Sequence, residues 1–230
     1  MRLAFGAVLC SLVLIAGCEP PGKPEAGPGE DAKVMDFKTL FAGNCSGCHG
    51  PDGQKGPGRI LNDPLYLAVI PKEALQQVIE EGRPGTAMPP WAMKHGGPLD
   101  SGQISALVNG MEQNWAKPVD LKGAALPAYS ASGDGDADRG SKLFQRDCFA
   151  CHVTGGLAGP VNDGSYLALT TNQNLRTSII VGRPDLGMPD YRMLNIGKPL
   201  KEQDLLDLVT YLAALRPAPE MVSGSQGGMK

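Results

Sequence analysis

Aromatic side chains are scarce in this chain of 230 residues: 5 Phe, 5 Tyr and 2 Trp make up 5% of it, beside 31 Gly and 20 Pro. So few large rings are thin material for an ordinary core, which leaves part of the interior to be filled by something other than side chains. A surplus of one charge is lacking too. The net charge is −3, from 21 basic and 24 acidic residues without a basic stripe, and this argues against nucleic acid as a partner. Histidine is rare, with only 3 in the chain. The apolar run at the N-terminus, Leu3 to Ala16, is too short to span a bilayer comfortably. What remains, 42% apolar with balanced charge, reads as globular and long enough for one large domain or two small ones.

Residues 1–17, with Arg2 ahead of the apolar run, read as a signal peptide. The run closes on Ile15-Ala16-Gly17-Cys18, which resembles the bacterial lipobox, where cleavage falls before the cysteine and its thiol receives a diacylglycerol. An ordinary secretory signal with an incidental Cys18 is the alternative. Lipidation fits better, because a Pro/Gly/Glu stretch that lacks the means to fold follows directly. The expectation is an exported protein facing the periplasm or extracytoplasmic space, bound to the membrane surface by a lipid anchor, with 18–33 as the tether.

Cysteine arithmetic agrees. Of 6 cysteines, Cys10 lies in the removed segment, Cys18 is the lipidation site, and the other four form two C-x-x-C-H motifs. These are Cys45-Ser46-Gly47-Cys48-His49 and Cys148-Phe149-Ala150-Cys151-His152. No thiol is left over to form a disulfide in an oxidising compartment.

The motifs belong to an internal repeat. At an offset of 103, the two C-x-x-C-H runs superpose and Gly56-Pro57 meets Gly159-Pro160. After a three-residue deletion the offset is 100, and Asn62-Asp63, Tyr66-Leu67-Ala68, Gly82-Arg83-Pro84 and Met88-Pro89 each meet the same residues again. Each copy carries three helical patches and no convincing strand. In the first, Asp36 caps a helix leading into Cys45, Pro71 opens a segment stopping near Gly82, and a third begins near Asp100 with Ile104, Leu107, Val108, Met111 and Trp115 on one face. In the second, Asp138 precedes the helix into Cys148, Asn172 precedes Leu175 to Val181, and Leu205, Leu208, Val209, Leu212 and Leu215 mark the last. The resulting division is a first domain over 34–117, a flexible linker over 118–137, a second domain over 138–217 and a Gly/Ser-rich tail over 218–230.

C-x-x-C-H is a haem attachment pattern: the thiols add to the haem vinyl groups and the adjoining histidine ligates iron. A zinc site needs four ligands, and neither copy offers a fourth at the usual spacing. A thioredoxin-like site expects a βαβ context, which is absent. The cofactors expected are therefore two covalently attached haem c groups, on Cys45, Cys48, Cys148 and Cys151, with His49 and His152 on iron. A haem in each copy also supplies the missing core and a staple for a small domain.

Counting narrows the second axial ligand. Two bis-histidine haems need four histidines, and the chain has His49, His95 and His152. Met88 and Met188 stand in matched Gly-bearing loops before a proline and are the favoured distal ligands. Met93 and Met193 are matched as well and stay open as alternatives. His95 has no counterpart, since Asn195 stands in its place.

The order C-x-x-C-H, Gly-Pro, G-x-x-M-P and an amphipathic C-terminal helix resembles class I cytochrome c, twice over. The resemblance implies an all-α fold of two tandem domains, each wrapping one covalent haem. It also implies that the carbonyls of Pro57 and Pro160 accept from the ring N–H of His49 and His152, and it suggests Arg83, Arg183, Trp91 and Tyr191 near the haem propionates. In the family a glycine on the first helix meets an aromatic on the last. The second copy offers Gly140 and Tyr211, and the first reverses the pair as Phe37 and Gly110.

His/Met ligation leaves no open position on iron, so single-electron transfer between redox proteins or within a membrane respiratory complex is the expected function, with no catalytic residue. The rival from another class is a dihaem peroxidase, for which a longer chain with more histidines is expected. A fixed subunit of a membrane oxidoreductase complex is the third reading.

Overall fold

The architecture follows from where each helix can start. In the computed structural model, which describes residues 34–194 and 198–217, the Asp36 carboxylate accepts the Thr39 N–H at 2.8 Å and begins α1 (Phe37–Asn44). α2 (Ser46–His49) continues from it through Cys45. Asp63 caps α3 (Pro64–Val69) through the N–H groups of Leu65 and Tyr66, and Pro71 sits at the N-cap of α4 (Lys72–Glu81). α5 (Ser101–Trp115) opens with a capping box, in which Asp100 accepts from Gln103 N–H at 2.8 Å and Gln103 accepts from Asp100 N–H at 3.1 Å. The second copy repeats the plan with α6 (Ala137–Asp147), α7 (Gly164–Leu169), α8 (Asn172–Val181) and α9 (Glu202–Ala214). Among the described residues no strand forms beyond isolated bridges such as Ala92 with Leu99 and Arg183 with Met188. The all-α expectation holds.

Three details differ from the sequence reading. Pro71, expected as the first residue of its helix, is the extended N-cap residue before Lys72. The cap of α6 is Asp136, whose carboxylate accepts the Arg139 N–H, while Asp138 lies in the first turn. The short helices α3 and α7 were not expected; each is a single capped turn and a half, too short for apolar periodicity to register.

In each copy the first helix crosses the last, and a glycine lets them approach. A Cβ on Gly110 would lie 2.2 Å from the Phe37 ring, and one on Gly140 would lie 2.0 Å from the Asp207 carbonyl and 2.7 Å from Tyr211 Cβ. The exchange of large and small sides read from the sequence is present. The first core gathers Phe41, Tyr66, Ile104, Leu107 and Met111, with the Phe37 and Phe41 rings 5.2 and 5.0 Å from that of Trp115. The second gathers Phe144, Leu167, Ile180, Leu205 and Leu208.

The linker is tied down rather than free. Arg176, 1% exposed on α8, donates from Nη2 to the Ala128 carbonyl at 2.7 Å and from Nε to the Tyr129 carbonyl at 3.1 Å. It also pairs with Glu202 of α9. Tyr191 donates its hydroxyl to the Ala125 carbonyl at 2.9 Å. A Gly/Ser/Asp composition favours flexibility, but buried donors on α8 and in the Tyr191 loop need acceptors, and the linker backbone supplies them. The copies also touch each other directly: Arg59 donates to Ser178 Oγ at 2.6 Å and Arg83 to Asn174 Oδ1 at 3.1 Å.

Candidate haem-binding site

Both C-x-x-C-H motifs are presented by the same turn of backbone. The Cys45 N–H closes α1 on the Phe41 carbonyl at 2.9 Å, and the His49 N–H returns to the Cys45 carbonyl at 2.9 Å. In the second copy the Cys148 N–H bonds the Phe144 carbonyl at 2.9 Å and the His152 N–H bonds the Cys148 carbonyl at 3.0 Å. One helical turn thus carries two thiols and an imidazole to one side of the chain.

Their environment is not that of a thiol-redox or metal-cage site. Burial, helped by the neighbouring Cys48 thiol, pushes the Cys45 thiol up to about 12, and burial with the Asp147 charge does the same for Cys148. Such thiols stay protonated at neutral pH, unlike the low-pKa cysteine of an exchange enzyme. Among the described residues no group of three or more His, Cys, Asp or Glu side chains is arranged to hold a metal ion. The buried, protonated Cys45 and Cys148 speak against the thioredoxin alternative.

The imidazoles are held through Nδ1. His49 Nδ1 lies 2.8 Å from the Arg59 carbonyl and His152 Nδ1 lies 3.2 Å from the Gly159 carbonyl. A carbonyl only accepts, so Nδ1 carries the hydrogen and Nε2 keeps its lone pair for a metal. Burial lowers the His49 pKa; the bond to Arg59 opposes that and the Arg83 charge adds to it, so the neutral, ligating form is favoured.

The expected acceptors, Pro57 and Pro160, are therefore displaced by two residues in one direction and one in the other. The reason is where the second copy is shortened. The Gly58 N–H bonds the Cys48 carbonyl at 2.8 Å, and the equivalent bond to Cys151 comes from Ala158 at 3.1 Å. By backbone pairing the offset is already 100 at this point, so the deletion lies between His152 and Ala158. The Gly-Pro letters match, but they occupy different places in the two loops.

The methionine loops face the motifs. Gly82 and Gly182 have φ of +69° and +71°, and a Cβ on either would lie 2.6 Å from the carbonyl of Met88 or Met188. The Arg83 and Arg183 N–H groups bond those same carbonyls at 2.9 and 3.0 Å. Met88 and Met188 are half-buried and line a single cavity of about 770 Å³ that also receives Cys45, Cys48 and His49 from one copy and Cys148, Cys151 and His152 from the other. Met93 is 55% exposed and lies off the cavity, whereas Met193, 51% exposed, lies on its wall, as Met188 does. His95 is exposed in a 3₁₀ turn away from it.

Of the residues suggested for propionates, Arg83, Arg183 and Trp91 line the cavity. Tyr191 does not. It is fully buried, and its hydroxyl serves the linker. Sequence reading missed Arg59, which also lines the cavity and whose Nη1 is buried without a hydrogen-bond partner. An unmatched guanidinium N–H facing an apolar cavity suits an anionic group such as a haem propionate. No repeat signal marks it, because Gly159 holds the equivalent position. The donor set, the apolar wall and the orphaned Nη1 all fit haem.

Comparison with known proteins agrees. The family model for cytochrome c oxidase, cbb3-type, subunit III matches twice, over 32–109 and 135–212. The cytochrome bc1 complex cytochrome c subunit of Mycobacterium tuberculosis H37Rv is 24% identical over 97% of this chain and 81% of its own. Cytochrome c55X of Paracoccus denitrificans is 39% identical over 35% of this chain and 72% of its own. The cbb3-type cytochrome c oxidase subunit FixP of Bradyrhizobium diazoefficiens is 30% identical over 52% of this chain and 39% of its own. Among solved structures, a chain of the reducing HAO-like protein complex of Kuenenia stuttgartiensis superposes with a TM-score of 0.46 at 16% identity, over 80% of this chain and 97% of that one. With the family model matched twice, the chain belongs to the cbb3-type subunit III cytochrome family, as a tandem c-type cytochrome that carries two covalently attached haem c groups and transfers electrons in a respiratory chain.

Proposed function

We propose that this chain is a lipid-anchored dihaem relay, and a fixed cytochrome c subunit of a bc1-type membrane complex rather than an enzyme. The observation that carries the relay is the single cavity receiving both C-x-x-C-H motifs and both Met-Pro loops. Bound there, haem supplies a one-electron Fe(II)/Fe(III) couple.

The chain's own residues do the rest. Cys45, Cys48, Cys148 and Cys151 form the thioethers. His49 and His152 offer Nε2, with their rings oriented by the Arg59 and Gly159 carbonyls. Met88 and Met188, positioned by the Gly82 and Gly182 turns, would offer their sulfurs as the second protein ligands. Arg83 and Arg183 line the cavity where propionates need cations. The buried apolar wall of Leu61, Ile79 and Met111 keeps water from the first site, which would limit the solvent rearrangement that accompanies a change of charge there.

The domains of the relay are 34–117 and 138–217, joined by 118–137. Cys18, outside the described residues, is the lipidation site, with 18–33 as tether and 218–230 as tail on an extracytoplasmic membrane face. One finding supports a membrane subunit: the mycobacterial relative named as a bc1 complex cytochrome c subunit matches nearly the whole chain.

Spectroscopy of the ferric holoprotein tests the relay. Both haems should show the methionine sulfur-to-iron charge-transfer band and react slowly with peroxide; absence of the band at either haem, or rapid peroxide turnover, overturns it. The subunit reading expects co-purification with a bc1-type complex through detergent and salt.

A further inference from the structure

The two halves of the shared cavity differ in charge and in cover. In the first half Arg59 reaches the cavity with its guanidinium while its own carbonyl accepts from His49. It donates to Ser178 Oγ, stands 5.8 Å over the Tyr66 ring, and has Nη1 buried without a partner. Among the described residues no carboxylate pairs with it. Asp63 and Asp185 feel its charge, but Asp63 caps α3 and Asp185 is paired with Arg183 at 2.7 Å. Arg83, bound to the neutral partners Asn174 and Tyr66, adds a second cation on this side.

In the second half the cations are neutralised. Arg183 is paired with Asp185, and Asp147, on the cavity wall beside Cys148, is paired with Arg146. The position equivalent to Arg59 is Gly159. Cover differs in the same sense. Leu61, Ile79 and Met111 wall the first half and are at most 8% exposed; in the second half Ile179 is buried like its counterpart Ile79, but Leu157, Leu186 and Met193 on the same wall are 96%, 72% and 51% exposed.

A half-buried guanidinium that no protein carboxylate neutralises, and whose free Nη1 faces the place of a propionate, offsets that propionate's negative charge and so opposes the extra positive charge of ferric iron, and a dry wall acts in the same sense. We propose that Arg59 holds the haem on Cys45 and Cys48 at a higher potential than the haem on Cys148 and Cys151, which makes the first copy the electron-receiving end of the relay. The proposal rests on the dihaem relay reading. In the transfer one electron leaves the second iron, Fe(II) becoming Fe(III), and arrives at the first, Fe(III) becoming Fe(II), with no bond or proton changed. Arg59 acts as a positioning residue for that potential, not as a ligand.

The test is a redox titration of the holoprotein followed at the α-band. C45A leaves one vinyl of the first haem unsaturated and shifts that haem's band alone, and C148A tags the second in the same way. Either variant assigns the two waves without reference to Met88. The tagged first haem should titrate in the upper wave. R59Q should lower that wave so that its reduced-to-oxidised ratio falls at least tenfold at fixed poise, 59 mV for one electron, with the other wave in place. R59K, which keeps the charge, should restore most of the shift. The first haem in the lower wave, equal movement of both waves under R59Q, or an unmoved upper wave each overturns the proposal. Loss of the sulfur-to-iron band in wild type would instead overturn the ligand reading, and the titration would still be decided.

Discussion

The Phe37 side chain lies against the bare backbone of Gly110, so close that a Cβ there would stand 2.2 Å from two atoms of its ring. The same ring is 5.8 Å from Phe41 and 5.2 Å from Trp115, so it is wedged between α5 and the aromatic cluster of the first core. The ring is only half-buried, so moving it aside means giving up its place in that cluster.

Gly110→Ala should therefore destabilise the first copy by about 1–3 kcal/mol through overpacking, although alanine is the better helix former. Phe37→Ala in the same chain should recover part of that loss, because it vacates the space the new methyl needs. Thermal unfolding of the four variants of the cycle measures both. Additive effects would mean that the two residues do not share the space.

Gly82→Ala and Gly182→Ala press a methyl into the carbonyl of Met88 or Met188 from a backbone with positive φ. Each should dislodge one methionine loop and remove that haem's share of the sulfur-to-iron band, leaving the other haem's share in place. Met93→Ala, at an exposed site off the cavity, should leave both bands unchanged. The ferric absorption spectrum of the three variants decides.

What the sequence disclosed and what it hid divide along one physical line. C-x-x-C-H, the helix caps at Asp36 and Asp100 and the Met-Pro loops are local patterns, and each is where its residues foretell. The acceptor of His49 is not local. Gly-Pro occurs in both copies, yet backbone pairing puts Gly58 opposite Ala158, and letter matching has no access to hydrogen bonds. Arg59 and Arg176 were passed over for a further reason: their repeat equivalents are Gly159 and Gln76, and comparing the copies selects what they share. The residues that join the copies, or set them apart, are by construction what a repeat argument discards.

Arg176 supplies the linker with its anchor. Arg176→Gln should leave the Ala128 and Tyr129 carbonyls and Glu202 without their charged donor, a loss of about 2 kcal/mol for hydrogen bonds to a charged group. Cleavage within 118–137 should become faster in limited proteolysis. A linker cut at the wild-type rate would show that its order does not depend on Arg176.

Asp207 gives the second copy a pH dependence. Its carboxylate is 1% exposed on α9, and it accepts the Asp136 N–H at 2.8 Å and Gln203 Nε2 at 3.0 Å while pairing with Arg139. Burial pushes its pKa up, but these bonds outweigh burial and hold it below the usual carboxylate value. A carboxyl whose folded pKa is depressed stabilises the fold fully above its unfolded value of about 3.9, and that contribution is lost as pH falls through the folded one. Because Asp136 begins α6 and Asp207 lies where α6 crosses α9, protonation loosens the crossing that leads into Cys148. Asp207→Asn should lower stability by about 2 kcal/mol at pH 7. The gap to wild type should narrow as pH drops below about 4, since wild type then loses the charge as well. Denaturant unfolding of the two proteins across that range measures it, and a gap that stays constant down to pH 2 would mean the Asp207 charge contributes nothing.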